Sequence, residues 1–277
     1  MEIDKNKLKS FNENGYIHLK GYLDKELLDQ IRNGCKRIFG KQLASHGYVC
    51  DLENDLDFEK ALYKLFKEDY AAFIGAAKLC QHQIELNQIA ISEKVMNVVK
   101  GVGVNYPAIC VKPIVHFNSR HIAKEEGHYK TPPHQDWRSM QGSINSVVVW
   151  IPLIDIDVSL GALDVIPKSH VHGIYETKKD EWFRTIDDPR YNEDEFVVLE
   201  VEKGDLVCFN AFLIHRSGNN VTENIRWSMH FRYNDINEPT FIDRKYPHPY
   251  VVYRPDQDIL FPEFNEEQEL RRYLNGN

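Results

Sequence analysis

The sequence of 277 residues lacks the features that mark several large classes of protein. No apolar run approaches the roughly 20 residues that span a bilayer, and the N-terminal segment has no apolar signal-peptide core. The five cysteines are widely spaced, without a CxxC pair, which argues against a disulfide framework and a zinc ribbon. The net charge is −8 and no basic stripe stands out, so nothing indicates a nucleic-acid partner. We therefore expect a cytoplasmic protein with free thiols and neither a membrane nor a nucleic-acid partner; its oligomeric state stays open.

The composition is typical of a globular chain, because 42% of the residues are hydrophobic and 27% are charged. Apolar residues recur at helical spacing through much of residues 1–104, where Asp24 is a candidate N-cap. From about residue 105 to 235, the pattern changes to strand-length runs rich in β-branched and aromatic residues. Residues 236–277 form a C-terminal extension. Since the apolar helix faces have no other partner, we predict one domain, mainly β with flanking helices.

Two long polar stretches, residues 118–131 and 171–195, interrupt the predicted strands. Loops of this length are uncommon in compact domains unless they serve as lids or binding loops. Both stretches are therefore candidates for lids or binding loops.

His134, Gln135 and Asp136 form the first candidate metal-binding motif. Side chains two residues apart in an extended strand point to the same face, so His134 and Asp136 can reach one metal ion together. The pattern is weakly specific by itself, because chance often produces His-x-Asp in a chain with twelve histidines. It therefore needs support from a third ligand elsewhere.

The segment from Lys203 to Ser228 supplies a candidate third ligand. A β-run ends in His215, a Gly/Asn turn follows, and the next strand opens with Arg226, eleven residues later. Two histidines and one carboxylate that leave coordination sites open are the arrangement of non-haem Fe(II) oxygenases. Arg226 suits a bidentate, charge-assisted pair with the distal carboxylate of 2-oxoglutarate, and Ser217 is placed to add a hydroxyl.

Most of the chain resembles the phytanoyl-CoA dioxygenase family of Fe(II)- and 2-oxoglutarate-dependent oxygenases. The opening FNENGYIHLKGYLDKELLDQI is similar to the start of such proteins. The other matching segments are HQDW at 134–137, VVVWIPL at 147–153, GALDVIPKSH at 161–170 and GDLVCFNAFLIHRSGNNVTENIR at 204–226. The resemblance implies that His134, Asp136 and His215 are the iron ligands. It implies that Arg226 binds the distal carboxylate of 2-oxoglutarate, and that Ser217 and Trp150 lie beside this cosubstrate.

The implied fold is a double-stranded β-helix, a cupin-like jelly-roll of two antiparallel sheets with helices outside and the metal in one mouth. The implied reactants are Fe(II), 2-oxoglutarate and O2, with ascorbate as a supporting reductant and succinate and CO2 as products. Asp136 stands where halogenating relatives carry a small residue, which favours hydroxylation. Lys168 departs from the Gly-Ser-His that the family usually has, and this puts the local turn conformation in question.

Polar residues near the metal motif are the candidates for contact with the substrate. They are partly basic, which favours a small polar or anionic metabolite over a fatty acyl chain. The candidates are Arg138, Gln141, Asn145, Arg120, His121 and Arg232. His116 is a further candidate, whereas His230 is expected to support the core or the metal site without binding metal.

Two other classes of function stay open at this point. A jelly-roll with the same triad can act as a non-oxidative isomerase or hydrolase, although such an enzyme has no need of Arg226 and Ser217. A catalytically silent binding module is expected to have lost a metal ligand, and none is missing from this sequence. Metal identity and succinate formation distinguish these classes from an oxygenase.

Overall fold

A computed structural model describes residues 3–123, 130–179 and 184–247. Its helices are α1 (Lys5–Asn14), α2 (Lys25–Ser45), α3 (Asp55–Glu68), α4 (Tyr70–Cys80), α5 (Ile84–Ala90), α6 (Glu93–Gly101), α7 (Trp137–Met140) and α8 (Pro239–Asp243). Its strands are β1 (Tyr16–Leu19), β2 (Pro107–Ile109), β3 (Ile114–Asn118), β4 (Val147–Pro152), β5 (Leu163–Val165), β6 (Thr177–Lys179), β7 (Arg184–Ile186), β8 (Val197–Leu199), β9 (Leu206–Asn210), β10 (His215–Ser217) and β11 (Arg226–Asp235).

Helix α2 begins at the predicted N-cap. The Asp24 carboxylate accepts a hydrogen bond from the backbone N–H of Glu26 at 3.0 Å, which satisfies a donor that the first helical turn leaves free. Buried apolar residues then recur every three or four positions along the helix, and they end with Phe39 and Leu43. This stripe belongs to the same hydrophobic core as the strands, so the helices pack on one face of a sheet.

Two antiparallel sheets form most of the β part of the described residues, and β6 and β7 form a separate two-stranded sheet. In the larger sheet the strand order is β1-β9-β4-β11-β2, and β3 also pairs with β11. In the smaller sheet the order is β10-β5-β8. The N-terminal strand β1 pairs with β9 and so joins the larger sheet. The helices cover one face of this sheet, and its other face borders a cavity that the smaller sheet also lines.

Strand β11 has two different faces because successive side chains alternate. Its odd-numbered apolar residues enter the core that the helices share, and they are Trp227, Met229, Phe231 and Tyr233. Even-numbered polar residues of the same strand line the cavity, and they are Arg226, His230 and Arg232. One strand therefore carries both the packing that fixes the sheet and the polar groups of the site.

Helix α3 holds the start of β11. The buried Glu59 carboxylate accepts a hydrogen bond from the backbone N–H of Ile225 at 2.9 Å and another from Trp227 Nε1 at 3.2 Å. These two partners are the chain neighbours of Arg226 on either side. Burial raises the pKa of Glu59 above its usual range, although the two hydrogen bonds oppose that shift. The helical part thus fixes the backbone from which Arg226 projects.

The two predicted long loops differ in what the structure describes. The stretch 171–195 contains the β6–β7 pair, so part of it is regular structure rather than loop. Residues 124–129 and 180–183 of the two stretches lie outside the described residues. The predicted C-terminal extension is described only to residue 247, and that part contains α8.

The turn that departs from the family pattern has an unusual backbone at Lys168. Its φ of 67° lies in the left-handed region, which glycine adopts with little strain. The Ser169 hydroxyl donates to the Ile166 carbonyl and accepts from the Ile214 N–H, both at 2.8 Å. These hydrogen bonds tie the turn to the residue before His215, so the turn keeps a structural role despite the strain.

The structure describes the state of the cysteines and the character of the helices. All five cysteines are free thiols. Among the described residues, no helix combines the length and the apolar character that crossing a bilayer requires.

Candidate metal centre and cosubstrate site

Three side chains that the sequence singled out converge at one end of the cavity. The ligand atoms of His134, Asp136 and His215 all lie within 4.8 Å of one another. Each histidine Nε2 lies 3.7 Å from a different oxygen of the Asp136 carboxylate. Asp136 and His215 are buried and His134 is half-buried, and the described residues contain no second group of this kind.

The backbone places the two histidines directly opposite each other. His134 and His215 exchange two backbone hydrogen bonds of 3.0 and 3.1 Å. They form an isolated antiparallel bridge, in which His134 pairs with the first residue of β10. The prediction that Asp136 also lies in an extended strand is wrong, because its φ of −65° and ψ of −28° begin helix α7. Asp136 therefore reaches the histidines from a helical turn rather than through the two-residue alternation of a strand.

Backbone carbonyls fix which nitrogen of each imidazole carries the proton. His134 Nδ1 lies 2.8 Å from the Pro132 carbonyl, and His215 Nδ1 lies 3.0 Å from the Leu213 carbonyl. Because a carbonyl can only accept, each Nδ1 is the donor and each Nε2 keeps its lone pair for a metal. Burial, helped by His134, lowers the pKa of His215 to about 3, so this imidazole is neutral at neutral pH.

Gln135, which lies between His134 and Asp136 in the sequence, anchors this segment to neighbouring backbone. Gln135 is buried, and its Nε2 donates to the carbonyls of Gly173 and Phe212, both at 2.7 Å. Its Oε1 accepts from the backbone N–H of Tyr175 at 2.9 Å. Sequence reasoning missed this role, and its only local signal is an amide residue between two candidate ligands.

Arg232 lies against the carboxylate of the triad. Its Nη2 donates to Asp136 Oδ1 at 2.6 Å, and both side chains are buried. Burial by itself would raise the pKa of Asp136, but Arg232 and the two histidines outweigh it and hold the pKa well below its usual range. Arg232 also lines the cavity, so its predicted contact with substrate stays a prediction while its pairing with Asp136 is observed.

Arg226 lies in the wall of the same cavity and has no acidic partner among the residues that the structure describes. Its Nη1 donates to the Gly161 carbonyl and its Nη2 to the Ser217 hydroxyl at 3.0 Å. Burial lowers its pKa to about 10, which leaves the guanidinium charged at neutral pH. Its Nε has no hydrogen-bond partner, and among the described residues no carboxylate forms an ion pair with it. A buried cation without a counter-charge is costly, so this end of the cavity favours an anionic ligand.

The sequence-predicted ligands and cosubstrate residues line a single cavity between the two sheets. The six residues are His134, Asp136, His215, Arg226, Ser217 and Trp150. Arg226 donates to Ser217, so a residue of β10 in the smaller sheet meets a residue of β11 in the larger sheet at this end of the cavity. The predicted contact of Ser217 with the cosubstrate stays a prediction.

Three predicted substrate residues after the metal motif lie outside the described wall of the cavity. Arg138 donates to the Tyr175 carbonyl. Gln141 ends helix α7 in a left-handed conformation, and Asn145 donates to Asp235 at 3.2 Å. Their role in binding substrate therefore stays a prediction.

Two predicted substrate residues before the metal motif share one acidic partner. Arg120 Nη2 donates to Glu223, and His121 Nε2 lies 2.8 Å from the other oxygen of the same carboxylate. Neither is among the described residues that line the cavity, so their contact with substrate also remains a prediction.

A pair of histidines on the larger sheet also lines the cavity. His116 Nε2 lies 2.9 Å from His230 Nδ1, and their ring centroids are 4.8 Å apart. Burial, with the charges of Arg226 and Arg232, lowers the pKa of His116 to about 3. Burial and Arg232 also lower the pKa of His230. Both imidazoles are therefore neutral at neutral pH, and neither belongs to the metal-binding group.

The donor set and the unpaired cation define the class of this protein. Two imidazoles and one carboxylate suit non-haem Fe(II), and a guanidinium in the same cavity suits the far carboxylate of a 2-oxo acid. The chain is an Fe(II)- and 2-oxoglutarate-dependent dioxygenase. Within this class, the family model described as Phytanoyl-CoA dioxygenase (PhyH) matches residues 11–228, and the chain belongs to that family.

Curated proteins similar to this chain carry related names. A 1-deoxypentalenic acid 11-beta-hydroxylase of Streptomyces exfoliatus is 26% identical over 243 residues, which are 80% of this chain and 78% of that protein. The Phytanoyl-CoA dioxygenase 1 of Oryza sativa subsp. japonica is 27% identical over 239 residues, 78% of this chain and 83% of that protein. The similarity therefore extends over most of each chain.

Solved structures share the fold. The epimerase SnoN in complex with Fe3+, alpha ketoglutarate and nogalamycin RO matches with a TM-score of 0.57 at 18% identity and covers 83% of both chains. EctD from S. alaskensis with 2-oxoglutarate and 5-hydroxyectoine matches with a TM-score of 0.51 at 16% identity, over 85% of this chain and 77% of that chain. The predicted jelly-roll with flanking helices is confirmed.

Proposed function

We propose that this protein hydroxylates a small polar metabolite and consumes 2-oxoglutarate and O2, with release of succinate and CO2. In this proposal His134, Asp136 and His215 hold Fe(II), while Arg226 and Ser217 bind the distal carboxylate of 2-oxoglutarate. The observation that carries it is the buried, charged Arg226 without an acidic partner in the cavity of the triad.

The residues of the triad fit a divalent iron. Each histidine Nδ1 faces a backbone carbonyl, which leaves Nε2 directed at the triad, and Arg232 keeps Asp136 ionised. When bound, the iron supplies activation of O2 for oxidation of a C–H bond. The chain contributes the fixed orientation of its ligands, since backbone hydrogen bonds hold both imidazoles and Gln135 holds the segment between two ligands.

Arg226 orients the cosubstrate from the other end of the cavity. Its planar guanidinium can hold a carboxylate through two parallel hydrogen bonds, which fixes direction as well as position. A hydrogen bond to a charged group contributes about 1.5–3 kcal/mol, which is roughly 10- to 150-fold in affinity. Trp150, on the neighbouring strand β4, provides an apolar surface of the wall beside the carbon chain of the cosubstrate.

The charges of the cavity wall favour a neutral polar group on the substrate near the metal. Arg232 pairs with Asp136, and Arg216 pairs with Asp164 at 2.9 Å. Of the described arginines in the wall, Arg226 alone lacks an acidic partner, and 2-oxoglutarate neutralises it. Most described wall residues are polar, which also disfavours a long acyl chain. The relatives named as hydroxylase and dioxygenase support the reaction type rather than any one substrate.

The proposal treats the described chain as one domain in the cytoplasm. The domain assignment is supported by a hydrophobic cluster that joins residues of α1 to α4 with residues of strands β4, β9 and β11. The cytoplasmic location is supported by the free state of all five thiols, which reducing compartments favour.

Succinate formation tests the reaction class. The protein is freed of metal and then incubated with Fe(II), 2-oxoglutarate and ascorbate, without any added substrate, because uncoupled turnover suffices for detection. We expect succinate that depends on iron and disappears in His215→Ala, because the triad loses a ligand. His82→Ala, a change of an exposed histidine outside the cavity wall, is the matched control and should keep full activity.

The requirement for 2-oxoglutarate tests the role of Arg226. Arg226→Gln should raise the 2-oxoglutarate concentration needed for half-maximal succinate formation by one to two orders of magnitude. Arg37→Gln, which changes an exposed arginine of α2, should leave it unchanged. If wild-type protein forms no succinate and also fails to bind 2-oxoglutarate in its metal-loaded form, a non-oxidative enzyme or a silent binding module replaces the proposal.

A further inference from the structure

A row of polar residues runs along the cavity face of β11. Arg226 stands at one end of the row, and Arg232, which contacts Asp136, stands towards the other end. At about 3.3 Å per residue, His230 lies roughly 13 Å from Arg226 along the strand and roughly 7 Å from Arg232. His230 therefore lies between Arg226 and Arg232 in the row, nearer to the arginine that contacts Asp136.

His230 has a buried polar atom that the described chain does not satisfy. The residue is 7% exposed and lines the cavity. Its Nδ1 is engaged by His116 at 2.9 Å, whereas its Nε2 has no hydrogen-bond partner among the described residues. Buried polar atoms are rarely left unpaired in native proteins, so an unpaired nitrogen in a ligand cavity indicates a partner that belongs to the ligand.

The hydrogen bond to His116 determines what this nitrogen can offer. Both imidazoles are neutral, so a single proton lies between His116 Nε2 and His230 Nδ1. If His116 donates, His230 Nδ1 accepts, and the proton of His230 must then lie on Nε2 and face the cavity as a donor. The oxo-acid end of 2-oxoglutarate has oxygen acceptors and no donor at neutral pH, so this tautomer is the complementary one.

We infer that His230, held in this tautomer by His116, donates a hydrogen bond from Nε2 to an oxygen at the oxo-acid end of bound 2-oxoglutarate. This inference rests on the proposed function and adds a second recognition point to the one at Arg226. His230 is then a residue that binds the cosubstrate, and His116 is a positioning residue that acts through it. Together the two contacts select for a 2-oxo acid that also carries a distal carboxylate.

Ligand truncation separates the two recognition points. The probes are 2-oxoglutarate and 2-oxopentanoate, which keeps the oxo-acid end and the chain length but lacks the distal carboxylate. Binding is measured by calorimetry on the Mn(II)-loaded full-length protein without oxygen, so the readout is affinity rather than turnover. His230→Leu should weaken the binding of both probes about tenfold, because one hydrogen bond to a charged group is lost. Arg226→Gln should weaken only the binding of 2-oxoglutarate.

Conservative variants distinguish the hydrogen bond from a packing effect. In His230→Gln the side-chain amide places an N–H donor near the position of Nε2, so most of the affinity should return. His116→Leu removes the group that selects the tautomer, and we expect an intermediate loss for both probes. His82→Leu, outside the cavity wall, should bind both probes as the wild type does. Each variant is also titrated with Mn(II) alone, and an unchanged metal affinity shows that the triad is intact.

Wild-type protein provides a second test that needs no variant to fold. In the Zn(II)-loaded protein with 15N-labelled histidine, the signal of His230 should show a protonated Nε2 when 2-oxoglutarate is bound. Equal affinity of wild type and His230→Leu for both probes, or an unprotonated Nε2 in the complex, would overturn the inference and leave the proposed function intact. If the wild-type protein binds Mn(II) but not 2-oxoglutarate, both the inference and the proposed function are wrong.

Discussion

The contact between Arg232 and Asp136 leads to a quantitative prediction about metal affinity. Arg232→Leu removes the charge and the hydrogen bond of 2.6 Å but keeps an apolar side chain in the buried site. Two unit charges about 4 Å apart attract by about 4 kcal/mol at an effective dielectric constant of 20, and the net contribution of such a charged hydrogen bond is about 1.5–3 kcal/mol. Part of this is offset in the metal complex, because the guanidinium also repels a divalent cation.

We expect the loss of orientation to outweigh the relief of repulsion. Removing the partner of a metal-binding group typically costs about 10- to 100-fold in metal affinity, or about 1.4–2.7 kcal/mol. Calorimetric titration of the metal-free protein with Mn(II) measures this directly. Arg232→Gln keeps an N–H donor without the charge, so its affinity should lie between those of wild type and Arg232→Leu.

Two results would refute this reasoning. Binding of Mn(II) by Arg232→Leu that equals or exceeds wild type would show that repulsion by the guanidinium dominates. If Arg232→Leu binds Mn(II) more weakly but Arg232→Gln binds it as tightly as the wild type, the charge of Arg232 has no part in the effect. Urea denaturation of the metal-free variants is the folding control, since leaving Asp136 buried without its cation should lower the free energy of unfolding by about 3–5 kcal/mol.

Three further substitutions probe the surroundings of Arg226. Ser217→Ala removes the hydroxyl that accepts from Arg226, so the dissociation constant for 2-oxoglutarate should rise about two- to tenfold in calorimetry, and an unchanged constant would contradict this contact. Gly161→Ala adds a Cβ that would lie 2.8 Å from the Gly218 carbonyl at a residue with φ of +83°. The free energy of unfolding in urea should therefore fall by about 1–3 kcal/mol, whereas a wild-type value would mean that the turn yields. Glu59→Gln removes a carboxyl whose pKa burial raises above 4.5. Ionisation of Glu59 costs wild-type stability as the pH rises through that raised pKa, so the difference in unfolding free energy should shift in favour of Glu59→Gln between pH 4 and pH 7; a difference that is independent of pH would argue against a raised pKa.

Local patterns in the sequence predict those parts of the site that lie close together in the chain. His134 and Asp136 are two residues apart, and the turn between His215 and Arg226 brings Ser217 beside Arg226. Closeness in sequence is enough to bring these side chains near one another, even though Asp136 does so from a helical turn and not from a strand.

The remaining parts depend on contacts that the sequence pattern does not encode. His116 and His230 meet because β3 pairs with β11, and Arg232 meets Asp136 across 96 residues of chain. Asp136 also leaves the expected strand geometry, because helix α7 begins at the next residue. Residue type and spacing do not determine which strands pair or in which register, so these roles were not predictable.

The alternation of β11 has a consequence for how this protein can change during evolution. Inserting or deleting one residue in β11 shifts every following side chain to the opposite face, because the repeat of a strand is two residues. Trp227 and Phe231 would then enter the cavity, and His230 and Arg232 would enter the apolar core. The length of this segment is therefore much less free to vary than its individual amino acids. In a library of single-codon insertions, variants in β11 should be lost, while variants at the exposed residues 192–195 survive.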